Sequence, residues 1–79
     1  MKEYAIDCND FKVIARQEPI GWIWTIDGIV VKFVVLQVNE ESAKNGGIEG
    51  AKAMLKRRGL QIPDCLKHPQ WVSSGYEAV

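Results

Sequence analysis

Two apolar, β-rich runs flank Asp27-Gly28, and the side-chain alternation of an extended chain sorts their residues onto two faces. Asp-Gly suits a type I′ turn, which needs positive φ at both central positions. It predicts a two-residue hairpin in which Ile26 faces Ile29, Thr25 faces Val30, Trp24 faces Val31, Ile23 faces Lys32 and Trp22 faces Phe33. One face then collects Trp22, Trp24, Ile26, Ile29, Val31, Phe33 and Val35 without a charge, and is the expected core. A one-residue slip would turn the tryptophans into water, so the pattern itself constrains the register. The opposite face carries Gly21, Ile23, Thr25, Val30, Lys32, Val34 and Leu36. A solvated sheet face is usually polar, whereas this one is mostly aliphatic.

Upstream, residues 11–18 alternate as a further strand, with Phe11, Val13 and Ala15 on the core side and Lys12 and Arg16 opposite. Pro19 and Gly21 punctuate the turn into the tryptophan strand. Tyr4, Ile6 and Cys8 also alternate, which fits either an extension of this strand or a short strand of their own with Asn9-Asp10 as the turn between.

Downstream, the signals are helical. Asn39 is a natural N-cap, with Glu40 and Glu41 where the helix dipole favours acids. Lys56, Arg57 and Arg58 occupy the last turn, Gly59 suits the C′ position, and Pro63 prevents continuation. A helix over 41–58 follows, weakest at Gly46-Gly47, because each glycine costs about 1 kcal/mol relative to alanine. Ala43, Gly47, Gly50, Ala51, Met54 and Leu55 share one side of it. That side is mostly small, so the helix can lie close to the bulky tryptophan face. The tail offers Ile62, Leu66, Trp71, Val72 and Tyr76 as anchors, and Asp64 as the cap of a short turn reaching His68. From Ser73 onward it is expected to be mobile.

The expected fold is therefore α+β: an antiparallel meander of three or four strands, one main helix on one face, and an irregular tail. With 79 residues the chain makes a single domain over 1–79, its ordered core about 4–63 and its tail 64–79 partly docked. So small a domain needs reinforcement by disulfides, a metal or oligomerisation.

Charge and chemistry narrow the function. Ten basic and ten acidic residues give zero formal net charge, which removes a global electrostatic drive toward nucleic acid or an anionic membrane. The longest apolar run, 29–36, is interrupted by Lys32 and is far shorter than the about 20 residues a spanning helix requires. Lys2, Glu3, Asp7 and Asp10 interrupt the start of the chain, which has no secretory apolar segment, so a cytoplasmic setting is expected. There the two cysteines, Cys8 and Cys65, would stay reduced. Cys65 and His68 have the spacing of a metal-binding pair, but a second pair is absent, so no metal site is expected. One histidine, no nucleophile motif and no phosphate loop argue against catalysis and against any cofactor.

Two uses remain. The first is a protein-interaction role, most simply self-association, through Ile23, Val30, Lys32, Val34 and Leu36 on the aliphatic second face. The alternative is weak nucleic-acid contact or antitoxin-like regulation through the basic helix end, Lys52, Lys56, Arg57 and Arg58. The motif Gly21-Trp22-Ile23-Trp24-Thr25-Ile26, followed by a strand and a helix entered through acids, resembles small bacterial and phage proteins with a G-W-x-W-x-I strand. The strands-then-helix order and the ending Gly59-Leu60-Gln61-Ile62-Pro63 are also faintly similar to HicB-type antitoxins. Those antitoxins pair a partial double-stranded-RNA-binding-like fold with a toxin. That resemblance implies a regulatory partner and transfers no site residues.

Overall fold

A computed structural model of the chain describes residues 2–28 and 34–73. It is α+β, in the order β1 (Glu3–Asp7), β2 (Lys12–Glu18), β3 (Gly21–Asp27), β4 (Val34–Gln37), α1 (Glu40–Arg57), α2 (Asp64–Lys67) and β5 (Val72–Ser73). The strands form one sheet in the order β4-β3-β2-β1-β5, with every neighbouring pair antiparallel. The first four make the expected meander. The tail adds a short fifth strand beside β1.

Local chemistry sets the first two turns. After β1, the Asp7 carboxylate accepts from the Asn9 backbone N–H at 2.9 Å, and Asn9 adopts φ 69°, which asparagine tolerates better than most residues. The Cys8 N–H then donates to the Phe11 carbonyl at 2.8 Å, closing the turn into β2. Between β2 and β3 the loop is the pair Pro19-Ile20, because Glu18 is already opposite Gly21.

The third connection departs from the expected hairpin. Trp24 lies opposite Val35 rather than Val31, and Trp22 opposite Gln37 rather than Phe33. The pairing is displaced by four residues, so Asp27-Gly28 is not the tip of a two-residue turn. Gly28 has φ 108°, and a Cβ there would lie 2.8 Å from the Asp10 carbonyl oxygen. The glycine serves a close approach to the β1–β2 turn. Because four is even, the displacement leaves each side chain on its expected face: Val35 stays on the tryptophan side and Leu36 on the other. The expected partners Ile29, Val30, Val31, Lys32 and Phe33 lie outside the described residues.

The core fills the space between the sheet and α1. Ile6, Val13 and Ile26 follow one another across β1, β2 and β3, all buried on the helix side. Ala15 and Trp24 continue this face one row on, with Phe11, Ile48, Ala51 and Leu55 closing the interior. The helical glycines let the indole in. A Cβ at Gly47 would sit 2.8 Å from Val13 Cγ1, and one at Gly50 would overlap the Trp24 ring, with Cζ3 2.8 Å away. Burying so large a side chain stabilises by about 1.5–3 kcal/mol, of the same order as the about 1 kcal/mol of propensity lost at each of the three glycines that face it.

Both ends of α1 are sealed as the sequence indicates. The Asn39 side chain accepts from the Ser42 N–H at 2.8 Å. At the other end the Leu60 N–H donates to the Leu55 carbonyl and the Gly59 N–H to the Lys56 carbonyl, with Gly59 at φ 69°. This is the hydrogen-bond pattern of a Schellman stop.

The tail corrects a second expectation. Leu66 of α2 is almost wholly buried in the same core, and Cys65 is joined to Cys8 by a disulfide, Cα–Cα 5.8 Å. The two thiols expected to be free therefore cross-link sites 57 residues apart. Closing a loop of that length removes unfolded-chain entropy equivalent to about 4 kcal/mol, the reinforcement a domain of this size needs. No helix among the described residues is long and apolar enough to cross a membrane.

Candidate functional site

The sheet register places residues of the second face in cross-strand rows. One row runs Val72, Ala5, Ile14, Thr25, Val34 across β5, β1, β2, β3 and β4. The next runs Glu3, Arg16, Ile23, Leu36, and on the far side of the first lies Asp7, Lys12, Asp27. An apolar band is thus flanked by rows carrying both signs of charge. Helix α1 and Leu66 of α2 pack on the opposite side, against Val13, Trp24 and Ile26.

Exposure is unequal across this face. Leu36 is 56 % exposed, Val72 64 % and Ile20, in the β2–β3 turn, 79 %. Ile23 and Thr25 are only 6 % exposed, although no helix among the described residues packs on this face. Ile23 forms the floor of an open hollow of about 420 Å³ walled by Arg16, Glu18, Pro19 and Ile20. At its rim, Arg16 Nε donates to Glu3 Oε1 at 2.6 Å, and Arg16 Nη1 reaches Glu18 Oε1 at 3.5 Å. The hydrogen bond that Arg16 donates to Glu3, opposed in part by burial, holds the guanidinium pKa above its ordinary value. The Thr25 hydroxyl is buried in the band without a hydrogen-bond partner among the described residues.

Of the five interface residues expected from sequence, three fall on this face in the described structure. Ile23 is the hollow floor, Leu36 is exposed beside it, and Val34 is placed by its backbone pairing with Thr25. Val30 and Lys32 lie outside the described residues. Sequence reasoning missed Ala5, Ile14, Ile20 and Val72. For Ala5 and Ile14 the signal was present, since they occupy the non-core positions of the alternation already read in β1 and β2.

The basic helix end is a separate feature. Lys56, Arg57 and Arg58 are exposed, whereas Lys52 Nζ lies 3.6 Å from Glu49 Oε2. Trp24 is sealed beneath α1, which leaves no ring face for a nucleic-acid base. Trp22 is half-buried and stacks on Tyr4, ring centroids 6.4 Å apart, with Lys44 Nζ 3.9 Å from the Tyr4 centroid. Those rings are occupied with one another and with a lysine from the same chain.

Cys65, His68, Ile6, Asp7, Gln70 and Val72 line a second open hollow of about 300 Å³. Because Cys65 is disulfide-bonded, the Cys65/His68 pair has no free thiolate to offer a metal or a substrate. Among the described residues no group of three or more His, Cys, Asp or Glu side chains is placed to hold a metal ion.

Compared with known proteins, the chain matches no family model, no curated protein and no solved structure.

Proposed function

We propose that this chain is a non-enzymatic interaction domain that pairs with a second copy of itself through the uncovered face of its sheet. The observation that carries the reading is one-sidedness. Among the described residues, the helices and the buried part of the tail pack on the tryptophan face, while Ile20, Leu36 and Val72 remain exposed around the opposite one. Exposed apolar side chains spread over one sheet face are surface that a partner can bury.

A second copy is the occupant that fits. An apolar band with a charged rim is the anatomy of a homodimer interface, and two-fold pairing is the commonest symmetric solution. Each flanking row carries both signs, so a partner related by a two-fold axis meets no block of like charge. Zero net charge leaves no global repulsion between copies. Stacking two such sheets about 10 Å apart gives a four-layer α-β-β-α sandwich.

Sedimentation equilibrium of the full chain at micromolar concentration tests this. The expected mass is twice 8.9 kDa, and Leu36→Glu returns it to 8.9 kDa without changing the circular dichroism. A wild-type chain that stays at 8.9 kDa over the whole concentration range overturns the reading. The exposed run Lys56, Arg57 and Arg58 supports a second, weaker reading, contact with phosphate backbones. Titration with short RNA and DNA duplexes at low salt would then show binding that Lys56→Glu with Arg57→Glu abolishes.

A further inference from the structure

We propose that Cys8 and Cys65 form a thiol–disulfide exchange site, and that a dithiol reductant acting there releases segment 63–73 from the sheet. The bond ties the turn after β1 to α2. Both cysteines are half-buried rather than sealed, and Cys65 borders the 300 Å³ hollow with Asp7, His68 and Gln70, which gives an attacking thiolate an approach.

The rest of the segment's attachment is slight. Leu66 is its one fully buried side chain, and Trp71 packs half-buried against the core. Strand β5 pairs with β1 only at Tyr4↔Ser73 and Ala5↔Val72, whereas β2 and β3 pair over seven positions. Helix α2 is a single turn, closed by Leu66 N–H and Lys67 N–H donating to the Pro63 carbonyl and His68 N–H to the Asp64 carbonyl. A unit with so few buried contacts is the part of the fold that opens first once its covalent tie is cut.

The exchange balances without any further reactant. A thiolate of the dithiol attacks Cys65 Sγ, the Cys8–Cys65 bond breaks, and its electron pair leaves on Cys8 Sγ, which takes a proton. The second thiol of the reductant, as thiolate, attacks the sulfur of its own mixed disulfide and expels Cys65 as thiolate, which is then protonated. The protein gains two electrons and two protons, and the dithiol becomes a disulfide. Release strips β5 from the outer edge of β1 and opens the core beside Ile6. An unpaired strand edge is a template for another strand, so the redox state sets whether β1 is available for pairing.

Hydrogen exchange read by mass spectrometry tests this on the full chain, oxidised and after dithiothreitol, beside the double variant Cys8→Ser, Cys65→Ser. Peptides over 60–73 are expected to fall to nearly unprotected exchange on reduction and in the variant, while peptides over β2 and β3, whose protection drops with the lost cross-link, remain clearly protected. Unchanged protection over 60–73 overturns the proposal. So does the disappearance of protection across β2 and β3 as well, since the chain would then be unfolding as a whole. Intact mass after alkylation gives an independent check. Two alkylatable cysteines persisting after equilibration with oxidised glutathione would show that the bond does not form.

Discussion

Trp24 and Ile23 are neighbours on β3, point to opposite sides of the sheet, and are almost equally hidden, at 7 % and 6 % exposure. They are hidden for different reasons. Trp24 lies under a helix whose glycines let its backbone descend onto the indole. Ile23 lies in a hollow whose walls come from its own sheet and the adjoining turn, with Ile20 and Leu36 exposed close by. Apolar character alone therefore does not distinguish the faces. Trp24 has an element shaped to receive it. Ile23 has no such cover among the described residues, and it is there that the proposed second copy would sit.

If that contrast is right, the faces answer mutation differently. The largest effect is expected from Trp24→Ala, which leaves a cavity facing three glycines and lowers stability by about 3–5 kcal/mol in urea unfolding. A loss below about 1 kcal/mol would mean that the helix does not rest on the indole. Filling the same gap from the other side, with Gly50→Leu, is expected to lower stability by about 3 kcal/mol through overpacking, despite a better helix propensity. On the uncovered face, Leu36→Glu should leave the stability of the isolated chain within about 0.5 kcal/mol. It should raise the dimer dissociation constant tenfold or more, about 1.4 kcal/mol of association. A variant that instead unfolds would assign Leu36 to the core.

Smaller effects sharpen the frame around the comparison. Asn39→Ala removes the acceptor for the Ser42 N–H and should lower the thermal midpoint through a loss of about 1 kcal/mol, with the oligomeric state unchanged. The smallest effect concerns pH. The Arg16 pKa is raised in the folded state, so the stability it contributes is fully present below the ordinary arginine value and is lost only as pH rises through the higher folded value. A stability profile should consequently show no step from Arg16 anywhere between neutral and mildly alkaline pH.

Much of this frame is legible in the residues. Alternation in 11–18 and 21–27 identifies the core side of β2 and β3, and Asn39 and Gly59 mark the helix ends, because these signals act within a few residues of one another. The glycines of α1 read as a groove for the same reason: their spacing places them together on one helical side. Asp27-Gly28 misleads, because a glycine with positive φ serves a close approach to the Asp10 carbonyl as well as it serves a hairpin tip. The even displacement of β4 is invisible to a pattern of period two. The Cys8–Cys65 bond escapes for a deeper reason. It depends on α2 docking against α1 and burying Leu66 in the shared core, a tertiary event that nothing near either cysteine reports. Ile20 and Val72 join the uncovered face through a turn and a two-residue strand, both too short to carry a periodicity.

The central claim, that the two faces of one sheet are closed by different chains, is tested most directly by isotope-filtered nuclear Overhauser measurements on a mixture of labelled and unlabelled protein. Methyl groups of Ile20, Ile23 and Leu36 are expected to show intermolecular contacts, and those of Val13 and Ile26 only contacts within their own chain. Intermolecular signals confined to the outer surface of α1, or none from Leu36 in a sample whose mass is that of two chains, would contradict it.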